Sequence, residues 1–281
     1  MSIPSRAWRV IGIAVLVLLV LATVAPFLLP HHTRFPLWPI DPASEYATRL
    51  DRVWMVVMIV GIGVTLLVGS LMVYAVTRFG TSDPMSDDEP PQIHGNSRLE
   101  LTWTLIPILI VTVLLFIAVS TLQLNNAPSI DTRNALVFNI RGYQWGWSYT
   151  SPQLPGLLVP SGDLHVPVNR PLDWRVTSSD VVHDWFVPAL DGHMDAYPGH
   201  IVRVVLTATR PGVYYAQCSK FCGLRHWLMH NNVYVESPAA FARWAVSKGA
   251  NRTAVASLLH LSTRQLAALP APGHAAANHS V

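Results

Sequence analysis

Charge is scarce in this sequence. Only 12% of the 281 residues are charged, about half the share usual in soluble domains. With 51% hydrophobic residues, that deficit argues against an ordinary soluble globule. The length suits one medium domain plus membrane-crossing segments. The formal net charge is only +3 and no run of Lys or Arg follows the chain, so nothing points to nucleic acid. No internal repeat is present. Cysteine is nearly absent: Cys218 and Cys222 are the only two. No Cys-x-x-Cys-His occurs, which excludes a covalently attached c-type haem. Low-complexity sequence is confined to the Ala/Pro/His-rich stretch from about Ala267, which reads as a disordered tail.

Long apolar runs are what the sequence has instead. Val53 to Thr77 and Leu101 to Leu124 carry no charge. At about 1.5 Å per residue each can cross a hydrocarbon layer of about 30 Å. Neither shows the polar face of a soluble core helix, so together they read as an antiparallel membrane hairpin over 53–124. An earlier uncharged run, Val10 to Leu29, follows Arg6 and Arg9. Residues 1–29 read as a signal peptide or as a third, N-terminal helix. The run exceeds the roughly 7–15 residues of a signal core, and its cleavage signal, Thr23-Val24-Ala25, is poor. The Pro-rich, polar stretch 30–52 reads as a loop. The hairpin loop holds more acids than bases, so the positive-inside rule decides little there. Arg6 and Arg9 favour a cytoplasmic N-terminus, which puts everything after Leu124 on the outer side.

Beyond the hairpin the pattern changes. Leu136–Ile140, Leu172–Val176, Ile201–Leu206, Val213–Ala216 and Asn232–Val235 are β-branched or aromatic and are separated by Gly, Pro, Asn and Ser. Short strands at this spacing predict an all-β sandwich or barrel over 125–236. Ser237-Pro238 then opens a helix, Ser237 as the cap and Pro238 in the first turn, leaving 237–281 as a C-terminal helix and tail.

The chemistry is concentrated in Cys218-Ser-Lys-Phe-Cys222-Gly-Leu-Arg-His226-Trp-Leu-Met229. Two thiols, an imidazole and a thioether are soft or borderline donors that favour copper over magnesium or calcium. A Cys218–Cys222 disulfide would close a very short loop and be strained. Zinc would leave Met229 unused and more often takes Cys-x2-Cys. A mononuclear blue-copper site would use one Cys and leave the other unexplained. Two thiolates bridging two copper ions use every donor, given a second His. His183 in Ser178-Ser-Asp180-Val-Val-His183-Asp-Trp-Phe-Val-Pro188 is the candidate. His193, His200 and His230 lack such support and read as surface or loop residues.

The His183 segment and the Cys218–Met229 motif, in this order, resemble subunit II of the haem–copper cytochrome c oxidases over roughly residues 50 to 245. The resemblance implies a cupredoxin-like Greek-key barrel behind the transmembrane α-helical hairpin, holding dinuclear copper A. It implies Cys218 and Cys222 as bridging thiolates, His183 and His226 as terminal ligands, Met229 as a weak axial donor, and the backbone carbonyl of Lys220 as the other axial ligand. Trp185, Phe186 and Trp227 are expected to keep water from that site. In the family the Lys220 position is commonly Glu, whose side chain also binds magnesium at the interface with the catalytic subunit. Lys has no acceptor, so the magnesium site is doubtful here.

Three further expectations rest on the same resemblance. In Gly142-Tyr-Gln-Trp145-Gly-Trp147-Ser-Tyr149, whose residues otherwise read as a packed strand, Trp145 is the electron entry point; Gly146 stands where an aromatic is usual. In His94-Gly-Asn-Ser-Arg-Leu-Glu100-Leu-Thr-Trp103-Thr-Leu-Ile-Pro107, Glu100 would open a proton-uptake channel, although an acid in a helix's first turn is also favoured by the dipole. Asp163, Asp173, Asp180, Asp184, Asp191 and Asp195 outnumber Arg170 and Arg175 and would form an acidic patch steering a basic cytochrome c. The expected partners are the catalytic subunit I, subunit III and a cytochrome c or other periplasmic one-electron donor, in a bacterial inner membrane with the copper domain on the periplasmic face. A quinol-oxidase version of the subunit would lack the copper ligands. A membrane-anchored copper carrier or assembly protein would need neither Trp145 nor the Glu100 segment.

Overall fold

The computed structural model describes residues 41–79, 92, 95–126, 134–190 and 192–269. The Val10–Leu29 run, the acidic hairpin loop around residues 87–91 and the last twelve residues lie outside that set. The chain divides into two compact units, one built on the long helices and one on the β domain, which also takes in residues 41–51.

Helices α1 (Glu45–Phe79) and α2 (Ser97–Asn126) contain the two apolar runs, and both are long and apolar enough to cross a membrane. Their large apolar side chains face outward, Leu67, Met72, Leu109 and Phe116 among them. Lipid offers no hydrogen-bond partner, so polar side chains must bond within the helix. The hydroxyls of Thr65 and Thr77 in α1 and of Thr102, Thr104, Thr112, Ser120 and Thr121 in α2 each donate to the carbonyl four residues back. Helix α2 starts from a reciprocal cap: Asn96 Oδ1 accepts from the Leu99 N–H at 3.2 Å, and Glu100 Oε1 from the Asn96 N–H at 3.0 Å.

Helix α1 begins at Glu45, inside the stretch expected as loop. Residues 41–51 are tied to the β domain: Ala43 N–H donates to Ala189 O at 2.7 Å, Thr209 N–H to Ala43 O at 2.7 Å, and Ser44 Oγ to Leu190 O. Ala43 and Ala47 are fully buried. Small side chains there allow close backbone approach, a feature that polarity and proline content do not reveal.

The second unit is all-β, as expected, with two curled five-stranded sheets. The strands are β1 (Leu136–Tyr143), β2 (Gly146–Thr150), β3 (Leu158–Val159), β4 (Leu164–Pro167), β5 (Pro171–Ser178), β6 (His183–Val187), β7 (Gly192–Ala196), β8 (Val202–Thr207), β9 (Gly212–Cys218) and β10 (His230–Glu236). One sheet runs β3-β2-β1-β5-β8 and the other β4-β10-β9-β6-β7. β1/β5 and β4/β10 pair parallel and the remaining pairs antiparallel, so the chain crosses between layers rather than meandering. Trp185 is fully buried at the centre. Its ring meets Trp147 at 4.9 Å, Tyr149 at 5.7 Å and Trp174 at 6.2 Å, all edge-on.

After β10, α3 (Pro238–Ser247) starts as the sequence expected, with Ser237 Oγ accepting the Ala240 N–H at 3.3 Å and Pro238 in the first turn. Phe241, Ala242, Ala245 and Val246 pack into the core. Two further helices, α4 (Arg252–Leu259) and α5 (Thr263–Ala267), continue order up to the low-complexity stretch.

Candidate metal centre

Strand β6 opens on His183, and β9 closes on Cys218 in the same sheet, with Trp185 opposite Cys218. The chain then loops through Cys222 and a 3-10 turn at His226–Leu228 before β10 departs at His230. Cys218 N–H donates to Met229 O at 2.9 Å, so sheet pairing closes the loop at its base. Ring closure over eleven residues by a backbone ladder fixes the donors without any cross-link.

Inside that loop the donors converge. The two Sγ atoms lie 3.9 Å apart, far from the roughly 2.05 Å of a disulfide, and both cysteines are free and buried. His183 Nδ1 lies 3.9 Å from Cys218 Sγ, and His226 Nδ1 lies 3.4 Å from Cys222 Sγ. Met229 Sδ is 3.8 Å from Cys222 Sγ, and the Lys220 carbonyl oxygen is 3.2 Å from Cys218 Sγ. His183, Cys218 and Cys222 present ligand atoms within 4.8 Å of one another. Thus all six expected donors meet, with one imidazole beside each thiol. His183, Cys218, Cys222 and Met229 are buried, while His226 is half-buried.

Asp180 Oδ1 accepts from His183 Nε2 at 2.8 Å, which turns Nδ1 toward the sulfurs. Burial works against the charged imidazole, but the bonds to Cys218 and Asp180 win and raise the His183 pKa. Burial likewise pushes Asp180 up, and the bonds from His183 and the Gln144 and Val181 amides bring it below its ordinary value. Burial raises the Cys218 thiol too, yet His183 and backbone groups of Asp184 and Lys220 leave it lowered. Cys222, disfavoured by burial and by the neighbouring Cys218 charge, is raised to about 12. The two thiols are thus shifted in opposite directions by their surroundings.

Two glycines make the approach possible. A Cβ on Gly142 would stand 3.0 Å from the His183 ring. Gly223 has φ +123°, and a Cβ there would stand 3.0 Å from Gln144 Nε2 and 3.3 Å from the Trp145 ring. Trp145 therefore lies directly over the ligand loop. It sits at the β1–β2 turn and is half-buried. Its neighbour Gln144 is clamped at both ends: its N–H donates to Asp180 Oδ2 at 2.7 Å, and its Nε2 to Cys222 O at 2.8 Å. This clamp was missed by the sequence reading, since Gln144 carries no metal-site signal.

Two expectations change. Trp185 is buried and Phe186 half-buried, as a water-excluding wall requires, but Trp227 is 72% exposed. With Phe221 and Leu224 it forms an apolar rim on the outer side of the loop. The acidic patch dissolves. Asp173 is buried between Arg175 and Arg203, Asp184 is buried beside Ser219, and Asp195 is paired with Lys220; Asp191 lies outside the described residues. His193 is at the surface, as expected, and is engaged there. Its Nδ1 is 2.6 Å from Asp184 Oδ2 and its ring stacks on Phe186 at 4.0 Å. Glu100 is exposed at the start of α2 and serves its cap.

Residues 37–124 match the family model for the transmembrane domain of cytochrome c oxidase subunit II, and residues 156–236 match that for its periplasmic domain. The chain is 30% identical over 238 residues to cytochrome c oxidase subunit 2 of Cereibacter sphaeroides, covering 72% of this chain and 77% of that protein. It is 28% identical over 252 residues to the corresponding subunit of Synechocystis, covering 73% and 74%. Among solved structures, the periplasmic domain of oxidase subunit II of Bradyrhizobium japonicum is 32% identical, covering 42% of this chain and 93% of that one at a TM-score of 0.36.

Proposed function

Because the chain belongs to the cytochrome c oxidase subunit II family, we propose that it is the electron-entry subunit of a terminal oxidase. In this reading single electrons arrive from cytochrome c or a similar periplasmic carrier. They pass to haem in subunit I, where oxygen is reduced and protons are pumped. The two long helices would anchor the chain in the bacterial inner membrane beside subunits I and III, with the β domain on the periplasmic side.

The observation that carries this is the convergence of two imidazoles, a thioether and a backbone carbonyl on two sulfurs 3.9 Å apart. That set fits a copper pair: Cys218 and Cys222 would bridge, His183 and His226 would terminate, and Met229 and the Lys220 carbonyl would complete it. Bound there, copper A supplies one-electron chemistry in which the added charge is shared by two metals. The protein's part is orientation and exclusion. Asp180 holds the His183 ring, Trp185 and Phe186 wall off water, and the Cys218–Met229 ladder fixes the loop, so the donors need not rearrange.

Trp145 is the proposed entry residue. Its ring covers Gly223, one residue from a bridging thiol, and Gln144 links the same turn to Asp180 and Cys222. Glu100 is the proposed mouth of a proton path, an exposed acid in the first turn of a spanning helix.

The quinol-oxidase alternative is disfavoured because the complete donor set is present. A copper carrier remains the rival from another class, and co-purification separates it: an oxidase subunit comes out with a haem protein. The deciding experiment is EPR and near-infrared spectroscopy of the purified chain loaded with copper. Hyperfine structure from two equivalent copper nuclei is expected, and Cys222→Ser should abolish it, because a hydroxyl is too hard a donor to bridge. A single isolated copper in the unaltered chain, or full oxidase turnover after Cys222→Ser, would overturn the reading.

A further inference from the structure

While the Lys220 carbonyl faces Cys218, its side chain enters a cluster with Asp195 and Tyr197. Lys220 Nζ donates to Asp195 Oδ1 on β7 at 2.7 Å. The second oxygen of Asp195 accepts from Tyr197 OH at 2.6 Å. The ammonium also stands 5.7 Å from the centre of the Tyr197 ring, within cation–π range. Next to it, Asp184 Oδ2 is taken by Ser219 Oγ and by His193 Nδ1.

These residues do not fit the magnesium that the family resemblance implies at this position. Magnesium requires several oxygen ligands in near-octahedral array, whereas a protonated Lys offers donors only. Both Asp195 oxygens are committed. Asp184 keeps one buried oxygen without a protein partner, a single ligand where several are needed. The charges are arranged the other way round: a carboxylate that could ligate a metal is paired with a cation of the protein itself.

We propose that the Lys220 ammonium is a built-in cation that occupies the place of a divalent ion beside the copper loop, so that this corner of the subunit binds no magnesium. The proposal rests on the copper-site reading above. Its consequence is structural as well: the ion pair ties the residue whose carbonyl faces Cys218 to strand β7, a task that elsewhere would need a metal.

The test uses the intact oxidase complex containing the full chain, isolated from cells grown with manganese in excess over magnesium and then freed of loose ions. Manganese EPR is the readout, because this ion takes magnesium sites and is paramagnetic. Wild type is expected to retain no manganese near the copper pair, and Lys220→Glu to gain about one equivalent, since it restores a carboxylate ligand. A manganese ion in wild type whose signal is broadened by the copper spin overturns the proposal. So does its absence from both proteins, because Lys220 would then not be what keeps the ion out. Should Lys220→Glu fail to assemble, the wild-type measurement still decides. Copper spectra of the same samples separate this from the site reading: a wild type without a copper pair sinks that reading whatever the manganese shows.

Discussion

Asp180 Oδ1 lies 2.8 Å from Nε2 of His183, while the other oxygen of the same carboxylate takes the Gln144 amide at 2.7 Å. One acid thereby sets the His183 ring and the turn that carries Trp145. Position and orientation of the two are coupled through a residue that touches no metal donor atom of the loop.

Asp180→Asn keeps the shape but replaces an ionised acceptor with an amide. Copper affinity of the full chain, read by competition with a chelator of known strength, should fall roughly 10–100-fold, the usual cost of losing an outer-shell partner to a ligating His. Far-UV circular dichroism should be unchanged. Unaltered affinity would mean that His183 is held by packing against Trp147 alone.

Gly223→Ala places a Cβ where φ is +123° and where Gln144 Nε2 would be 3.0 Å away. Destabilisation above about 1 kcal/mol is expected from the backbone term, with Trp145 displaced as well. Chemical denaturation measures the first and Trp fluorescence the second. A variant as stable as wild type would show that the loop relaxes freely.

Trp145→Ala should leave copper content and the copper spectrum intact. Turnover with a protein electron donor should drop, whereas turnover with a small-molecule reductant should be largely kept. Equal losses with both donors would mean that the indole supports the loop and does not serve entry.

Trp185→Ala empties the centre of the β domain, where the ring touches Trp147, Tyr149 and Trp174. A loss of about 3–5 kcal/mol is expected. Because Trp185 also lies opposite Cys218 in the sheet, copper uptake should weaken at temperatures where the fold survives. Calorimetry with and without copper reads both. A cost under 1 kcal/mol would place the core elsewhere.

Where the reading of sequence and the fold part ways, the cause is local in each case. Residues 45–51 look like loop because they lack a long apolar run, yet Ala43 and Ala47 fit under the β domain by being small. Strands β3, β4, β6 and β7 escaped notice. β3 and β4 are short, and β6 and β7 carry site residues such as His183, Asp184, His193 and Asp195, which break the alternation that marks a strand. The supposed acidic patch failed because the acids are taken up by distant partners: Asp173, on the face opposite Leu172 and Trp174, is covered by Arg175 and Arg203, while Asp163 caps the Asn232 amide.

The sequence alone determined the apolar spans, the class of the β domain and the candidate donors of the Cys218–Met229 loop, because each depends on residue type and short-range spacing: uncharged runs, alternating strands, and two thiols with an imidazole and a thioether in one loop. The distant partners needed the tertiary structure. That Asp180 rather than another acid holds His183, that Trp145 covers Gly223, and that Lys220 closes on Asp195 all follow from which strands pair and in what register. Register is a property of the whole sheet, fixed by how its buried faces pack, and no window of sequence contains it.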